Sequence, residues 1–395
     1  MQQQMTLRRN RVAASLFFFI QGLVFSSWAS RIPDIKRALN LNDVQLGGVL
    51  FSIPVGQLSA IAFSAWAVNR WGSRGSLGWS SVAYPLFLVP IGLAGDAWWL
   101  SVALFLFGFS TNIYNIAVNT QGVEVERLYG RNILASFHGL WSMGAFAGGV
   151  VSMALVAVGM SPVGHFLVIF AVSVITAQTA RNYLTDERTD RAAAPADGGG
   201  QEKRRKKSLP EKMRGLNAYL LLLGMVTFGS MICEGCMYDW SGVYFDQVVG
   251  VPDSMIRLGY IVCMCTMTMG RFVADRLVTR FGAPVLIRAS GLLIFTGLWL
   301  AVLSPTPVAA TAGCLIVGFG ISSTVPVCYS MAGKAGHISS GNAITIVSSI
   351  GYLGFVLGPP LIGFMAHTIT LRYTFGAIGC IGVLIAVMSF KLRRQ

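Results

Sequence analysis

The chain has 395 residues, of which 54% are hydrophobic and 12% charged, with a mean hydropathy of +0.63 and a formal net charge of +14. A soluble domain carries about twice that charged fraction, so a water-soluble globular fold is excluded. The positive charge does not mark a nucleic-acid surface, because it falls in short stretches between apolar runs and forms no single basic face. The seven cysteines show no metal-site spacing and do not suggest a disulfide scaffold.

In chain order, Arg8, Arg9 and Arg11 precede an apolar run from Val12 to Ala29. An amphipathic segment then leads straight into a second long run, so the first is read as a retained membrane helix and not a cleaved signal. Runs long enough to cross about 30 Å of hydrocarbon are predicted at 12–30, 44–68, 77–95, 98–123, 133–158 and 163–181. A polar stretch follows from Arg181 to Gly215, with ten Lys/Arg, six Asp/Glu and Gly198–Gly200. It holds almost nothing that packs a core, and it reads as a water-exposed tether. Six further runs are predicted at 216–240, 255–275, 284–303, 307–332, 339–364 and 370–390. The expected organisation is a helical bundle at 1–181, a cytoplasmic linker at 182–215 and a second bundle at 216–395.

Charge sorting agrees with twelve spans. With both termini in the cytoplasm, inner segments and adjoining helix ends take 25 of the 30 Lys and Arg. Arg31, Lys36, Arg37, Arg257 and Arg372 fall outside, while Arg271 is counted with the inner helix ends. The halves also echo each other at a constant offset of 210 residues: Trp71 with Phe281, Gly144 with Gly354, and Gly148 with Gly358. A shared offset points to a parallel six-plus-six repeat.

The loop after span 8, Gly270-Arg271 through Asp275-Arg276 to Arg280, fits the pattern Gly-x-x-x-Asp-Arg-x-x-(x)-Arg. The loop after span 2 departs from it, with Asn69 in the acidic position ahead of Arg70 and Arg74. With the twelve spans and the central loop, these features resemble the major facilitator superfamily of secondary transporters. The segments SSWASRIPDIK, GVEVER, HGLWSMG and EGCMYDWSGVY are similar to the bacterial YbjJ-type group, related to fucose permeases. The resemblance implies an all-α integral membrane protein of twelve transmembrane helices in two six-helix bundles, multi-pass in the bacterial inner membrane. It also implies a latch at Asn69, Arg70, Arg74, Asp275, Arg276 and Arg280.

Polar groups within hydrocarbon are costly unless they face a cavity or a partner, which singles out the candidates. Asn112, Asn115 and Asn119 share one face of span 4, either lining a polar cavity or bonding helix to helix. Gln57 is a lesser candidate of the same kind. His138 can relay a proton or bond a neighbouring helix. Trp28 and Tyr238 can stack on a ring or simply pack. Glu234 is the deepest clear carboxylate and the first candidate for proton coupling, with Asp239 second. The competing reading of both acids is a static ion pair, for example with Arg31. Glu124 and Glu126 precede Arg127, and Glu124 is also a gate candidate. Asp34, Asp246 and Asp253 are expected to be solvated, and His165 to carry little. Pro359-Pro360 is expected to bend or interrupt span 11.

No ATPase phosphate loop or catalytic set is present, so no enzyme is expected. The expectation is proton-coupled symport of a small polar solute such as a sugar, by a functional monomer without cofactor or nucleic-acid partner. A proton-coupled exporter is the alternative, and a non-transporting membrane receptor a further one.

Overall fold

A computed structural model describes residues 2–130, 133–185, 218–335 and 340–392. Most of the expected linker, including Lys203–Lys207, lies outside the described residues, as do His337 and Arg131. Every regular element among the described residues is helical.

The first half runs α1 (Gln2–Ala29), α2 (Ile32–Ala38), α3 (Asp43–Leu50), α4 (Ser52–Leu86), α5 (Leu88–Gly92), α6 (Ala97–Tyr129), α7 (Leu134–Ala157) and α8 (Pro162–Ala180). The second runs α9 (Ala218–Asp239), α10 (Ser241–Tyr244), a π turn at Phe245–Val249, α11 (Leu258–Phe281), α12 (Ala283–Leu303), α13 (Pro307–Gly333) and α14 (Ser340–Ser389). Sequence sets several of these starts. Asn42 and Gln45 form a reciprocal capping box on α3, and Asp96, Ser161 and Thr306 accept a backbone N–H at the starts of α6, α8 and α13. Glu126 accepts from the N–H groups of Ile133 and Leu134, each at 2.7 Å, and so caps α7 from a neighbouring helix. Among the described residues, nine helices are long and apolar enough to cross a membrane. Large apolar side chains such as Ile175, Leu303 and Leu384 stand exposed on outer faces, as they do where lipid is the solvent.

Two of those nine are long because the chain resumes helix directly after a reversal. In α4 the break is Gly72, at φ 73° and ψ 166°. Phe63 and Trp79, either side of it, bring their rings within 6.3 Å, so the chain folds back there. Gly282, 210 residues on, repeats this backbone at φ 84° and ψ 150°. Both positions need glycine, because a side chain is disfavoured at positive φ. In α14 the break is Thr370, at φ 70°. Gly354 and Gly358 before it face Phe228 and Ile232 on α9 in ascending order, whereas Ile378 after it accepts from Cys233. The direction therefore reverses between them. Of the expected bend or interruption at Pro359 and Pro360, the interruption is absent: α14 runs on through both. The Pro359 carbonyl lies against Gly47 of α3, so close packing supports the helix where prolines remove backbone donors.

The constant offset is realised in the packing. A Cβ on Gly144 would collide with the Phe19 carbonyl of α1, and one on Gly354 with the Phe228 carbonyl of α9. Gly108 likewise abuts the Ile53 carbonyl, and Gly318 the Cys263 carbonyl. Thus α1 packs on α7 as α9 packs on α14, and α4 on α6 as α11 on α13. Gly108→Val and Gly318→Val are each expected to cost about 1–3 kcal/mol through overpacking. Each should lower the thermal unfolding midpoint in detergent. Gly48→Val, where nothing lies within 4 Å, should not.

The halves meet where α3 packs on α14, α2 on α10 and α7 on α11. Arg9 stacks on Tyr183 and Arg11 on Tyr129, which places the start of α1 and the ends of α6 and α8 at one face, here the termini-bearing face. Residues 30–43, 158–165 and 245–257 lie at the opposite face.

Candidate functional site

Glu234 and Tyr238 stand four residues apart on α9 and therefore on one side of it. The Tyr238 hydroxyl donates to Glu234 Oε1 at 2.6 Å. Arg271 of α11 places Nη2 at 3.4 Å from the same oxygen, while its Nη1 donates to Ser142 Oγ on α7 at 2.6 Å. Ser142 in turn donates to the His138 carbonyl at 3.2 Å. One carboxylate oxygen is thus shared by a phenol and a guanidinium, and the guanidinium bridges the two halves. The ion pair is long beside the roughly 2.7–2.9 Å of a tight charge-assisted bond, whereas the phenol contact is short. Phe25 and Trp141 from the first half flank Tyr238, with ring centroids at 5.7 Å and 6.5 Å. The Arg271 side chain is 25% exposed and that of Glu234 11%, so the pair touches the edge of open space.

Exposed Asn115 and His138 lie nearer the termini-bearing ends of α6 and α7, which puts the accessible side of the cluster toward that face. The opposite face is closed by charge. Asp34 pairs with Arg31 at 3.1 Å, with Arg37 at 3.2 Å and, across the halves, with Arg257. Arg37 also reaches Asp253 at 2.8 Å and Asp246 at 3.6 Å in the second half. Arg31 donates to His165 Nδ1 at 3.1 Å and to the Met160 carbonyl at 2.8 Å. Arg257 donates to Ser152 Oγ at 3.3 Å and to the Asp253 carbonyl at 3.1 Å. Three cations and three carboxylates from both halves thus balance, and the Arg257 side chain is 0% exposed.

The remaining expected residues separate. Asn112 accepts from Ser64 Oγ at 2.8 Å and joins α6 to α4. The Asn119 amide folds back onto the Asn115 carbonyl at 2.8 Å. Of the three amides, Asn115 is the exposed one. Gln57 accepts from the Tyr352 hydroxyl at 2.7 Å, a further bond between the halves. Trp28 is 1% exposed and enclosed by packing, so it presents no stacking face in this conformation. Asp239 is 7% exposed, and its carboxylate has no side-chain hydrogen bond or ion pair to another described residue. Asn69 and Arg70 are exposed and Arg74 half-buried around the Gly72 reversal. Arg276 and Arg280 are exposed near the end of α11, with Arg280 over the Phe281 ring at 5.3 Å. The Asp275 side chain lies outside the described part. Glu124 pairs with Arg127 one turn on, at 2.5 Å.

Three expectations are corrected. Glu234 pairs with Arg271, while Arg31 pairs with Asp34, because Arg31 sits at the charged face with α2 directly beyond it. Arg271 is not an inner-end charge. It lies 10 residues before Phe281, about 15 Å along the helix, and joins the cluster. Asp34 and Asp246 are half-buried and paired, and His165 is fully buried as the acceptor of Arg31. The sequence signal for Arg271 was a cation within an apolar helix, and the adjoining loop pattern absorbed it.

The profile described as Major Facilitator Superfamily matches residues 12–340. An uncharacterised MFS-type transporter of Yersinia pestis is 30% identical over 383 residues, covering 97% of this chain and 95% of its own. A solved D-xylose-proton symporter superposes with a TM-score of 0.76 at 16% identity, covering 96% of each chain. A bacterial homologue of the human lysosomal transporter Spinster, inward-facing and unoccupied, gives 0.73 at 16% identity, covering 98% of this chain and 96% of its own. The two structural likenesses are likenesses of fold.

Proposed function

The chain belongs to the major facilitator superfamily, and on that premise we propose that it is a secondary active transporter that couples proton movement to symport of a small polar solute, such as a sugar or sugar derivative. As a transporter of this family it is not an enzyme. The observation that carries the proposal is the shared Glu234 oxygen, with Tyr238 on one side and the half-bridging Arg271 on the other.

A proton on Glu234 removes the charge that holds Arg271, while Arg271 keeps its bond to Ser142 across the halves. Protonation state then alters what joins the halves, which is what coupling requires. The ionised pair carries no net charge, and once Glu234 is protonated a bound solute's oxygens would accept from Arg271 in its place; those are the two states cheap enough to reorient in a partly dry cavity. Asn115 and His138 supply donors and acceptors at the accessible side, and the Phe25, Trp141 and Tyr238 rings supply an apolar wall. The fold relationship to a D-xylose-proton symporter supports a sugar-sized cargo.

Twelve crossings follow if α4 with its neighbours and α14 are each divided at their reversals and α11 is counted as a span. An undivided 50-residue α14 would extend about 75 Å, more than twice the hydrocarbon thickness. On this reading 1–181 and 216–395 are six-helix bundles, both termini are cytoplasmic, and the charged face is the outer gate, closed here. A functional monomer in the bacterial inner membrane completes the proposal.

The test is a thermal-shift screen of neutral and charged metabolites, followed by uptake in oriented proteoliposomes with an imposed proton gradient. A hit accumulated only with the gradient, with protons moving in the same direction, is the expected result. Protons moving against the solute indicate an exporter, and ligand binding without any flux indicates a receptor. Asn115→Leu should weaken binding of that hit about fivefold, the worth of roughly one hydrogen bond. Asn112→Leu should instead lower thermal stability.

A further inference from the structure

The three arginines at the start of α1 are not used by the site above, and they are not equivalent. Arg11 is turned toward α6 and stacks on Tyr129 at 5.5 Å. Arg181, at the end of α8, packs its guanidinium over Gly78 of α4. Arg8 and Arg9 are exposed and line a cavity of about 510 Å³ between α1 and the turn at Arg181–Tyr183. None of the described carboxylates forms a salt bridge with either.

The cavity changes character with depth. Arg8 and Arg9 stand toward its termini-bearing end, with half-exposed Met5 one turn beyond them at the mouth and the Arg9 guanidinium over the Tyr183 ring at 5.8 Å. Along α1 it continues as an apolar channel of Val12, Ala13 and Leu16, walled across by Thr179 and Ala180. Val12 is 53% exposed there. The Thr179 hydroxyl is already bonded to carbonyls of its own helix, so it offers little to a polar guest. The Asn10 amide, oriented to donate, reaches the Tyr183 carbonyl at 2.9 Å and ties the turn to α1, so the walls are fixed before any ligand arrives.

A guest for this shape carries a negative group at one end and a hydrocarbon tail at the other. A guanidinium matches phosphate oxygens in fork geometry, and Arg8 and Arg9 both line this one cavity. Tyrosine at such a boundary has an apolar body and a wet tip, as at a lipid headgroup level. Basic pockets between membrane helices select anionic headgroups in this way. A free phosphate would use the mouth and leave the channel empty.

We propose that this channel is a binding site for one anionic phospholipid, its phosphate held by Arg8 and Arg9 and one acyl chain lying along Val12, Ala13 and Leu16. The lipid would hold the start of α1 against the end of α8. The same α1 reaches Phe25 at the central cluster and ends beside the charged face. The site is thus at the opposite end of a helix that serves both, and it does not depend on which solute is carried.

The test uses the full chain in detergent, with phosphatidylglycerol and phosphatidylcholine of identical acyl chains at equal concentration, and native mass spectrometry to count retained lipids. The expected result is one phosphatidylglycerol retained in preference, with the preference falling about fivefold for each charge removed in Arg8→Gln and Arg9→Gln. Val12→Trp, which fills the channel and keeps both charges, should reduce retention even if the arginine variants fold poorly. Millimolar sn-glycerol 3-phosphate should not displace the lipid. Equal retention of the two lipids, a preference unchanged in the arginine and Trp variants, or displacement by the soluble phosphate would each overturn the proposal.

Discussion

Glu234→Gln is expected to abolish gradient-driven accumulation of the solute while leaving solute exchange at equal pH on both sides. Glutamine preserves the size of the side chain and an oxygen for the Tyr238 hydroxyl, but it cannot change charge. Coupling between two ligands in allosteric proteins spans about 5- to 150-fold, and accumulation of that size in the unaltered chain is what the variant should lose. The substitution also leaves Arg271 without its anion. Breaking one partner out of a buried pair costs about 3–5 kcal/mol, to be discounted here because Arg271 is a quarter exposed. A lower unfolding midpoint is therefore expected, and the Glu234→Gln/Arg271→Gln double variant should recover much of it without recovering accumulation. The stability effect and the coupling effect then separate. Full accumulation with unchanged proton movement in Glu234→Gln would remove Glu234 from the coupling step.

Asp34→Asn is expected to open the charged face. Asp34 is the common partner of Arg31, Arg37 and Arg257, and the Arg257 side chain has no exposure. Without the carboxylate, buried cations from both halves face one another with only Asp253 and Asp246 nearby. A loss of about 3–5 kcal/mol from the closed arrangement would shift the ratio of closed to open forms by roughly two to nearly four orders of magnitude. Hydrogen exchange should quicken in α2 and across 245–257, where the contacts are lost. Exchange around Gly144 and Phe19, inside one half, should stay slow. Unchanged exchange at the charged face would mean that apolar packing of α3 on α14 closes it and the charges are incidental.

Much of the fold was legible because it rests on periodic quantities. Apolar run lengths gave the helices, and the 210-residue offset already joined Gly144 to Gly354 before either was seen against a phenylalanine carbonyl. Gly72 and Gly282 repeat a reversal that the flanking Trp71 and Phe281 marked in the sequence. The charged face was not legible in the same way. Asp34 is separated from Asp246 and Asp253 by more than 200 residues of chain, and the charged cluster they form depends on how one half is set against the other. Arg271 was misplaced because hydropathy assigns a cation to the nearer end of its helix. Only the partner positions of Glu234 and Ser142 show that it is an internal charge. The three asparagines show the limit of periodicity most plainly. They share a helix face, yet one bonds to Ser64, one folds onto its own helix and one is exposed.

Transport of the proposed kind requires alternation between the two faces, and paired distances test that most directly. Spin labels at Asn40 and Gln247 report the charged face, and labels at Arg127 and Phe281 the termini-bearing face, in a cysteine-free background. In Asp34→Asn the first distance should lengthen and the second shorten, relative to the chain with Asp34 intact. If both distances lengthen together, or one changes while the other stays fixed, the two faces are not alternately closed and the transport cycle proposed here does not operate.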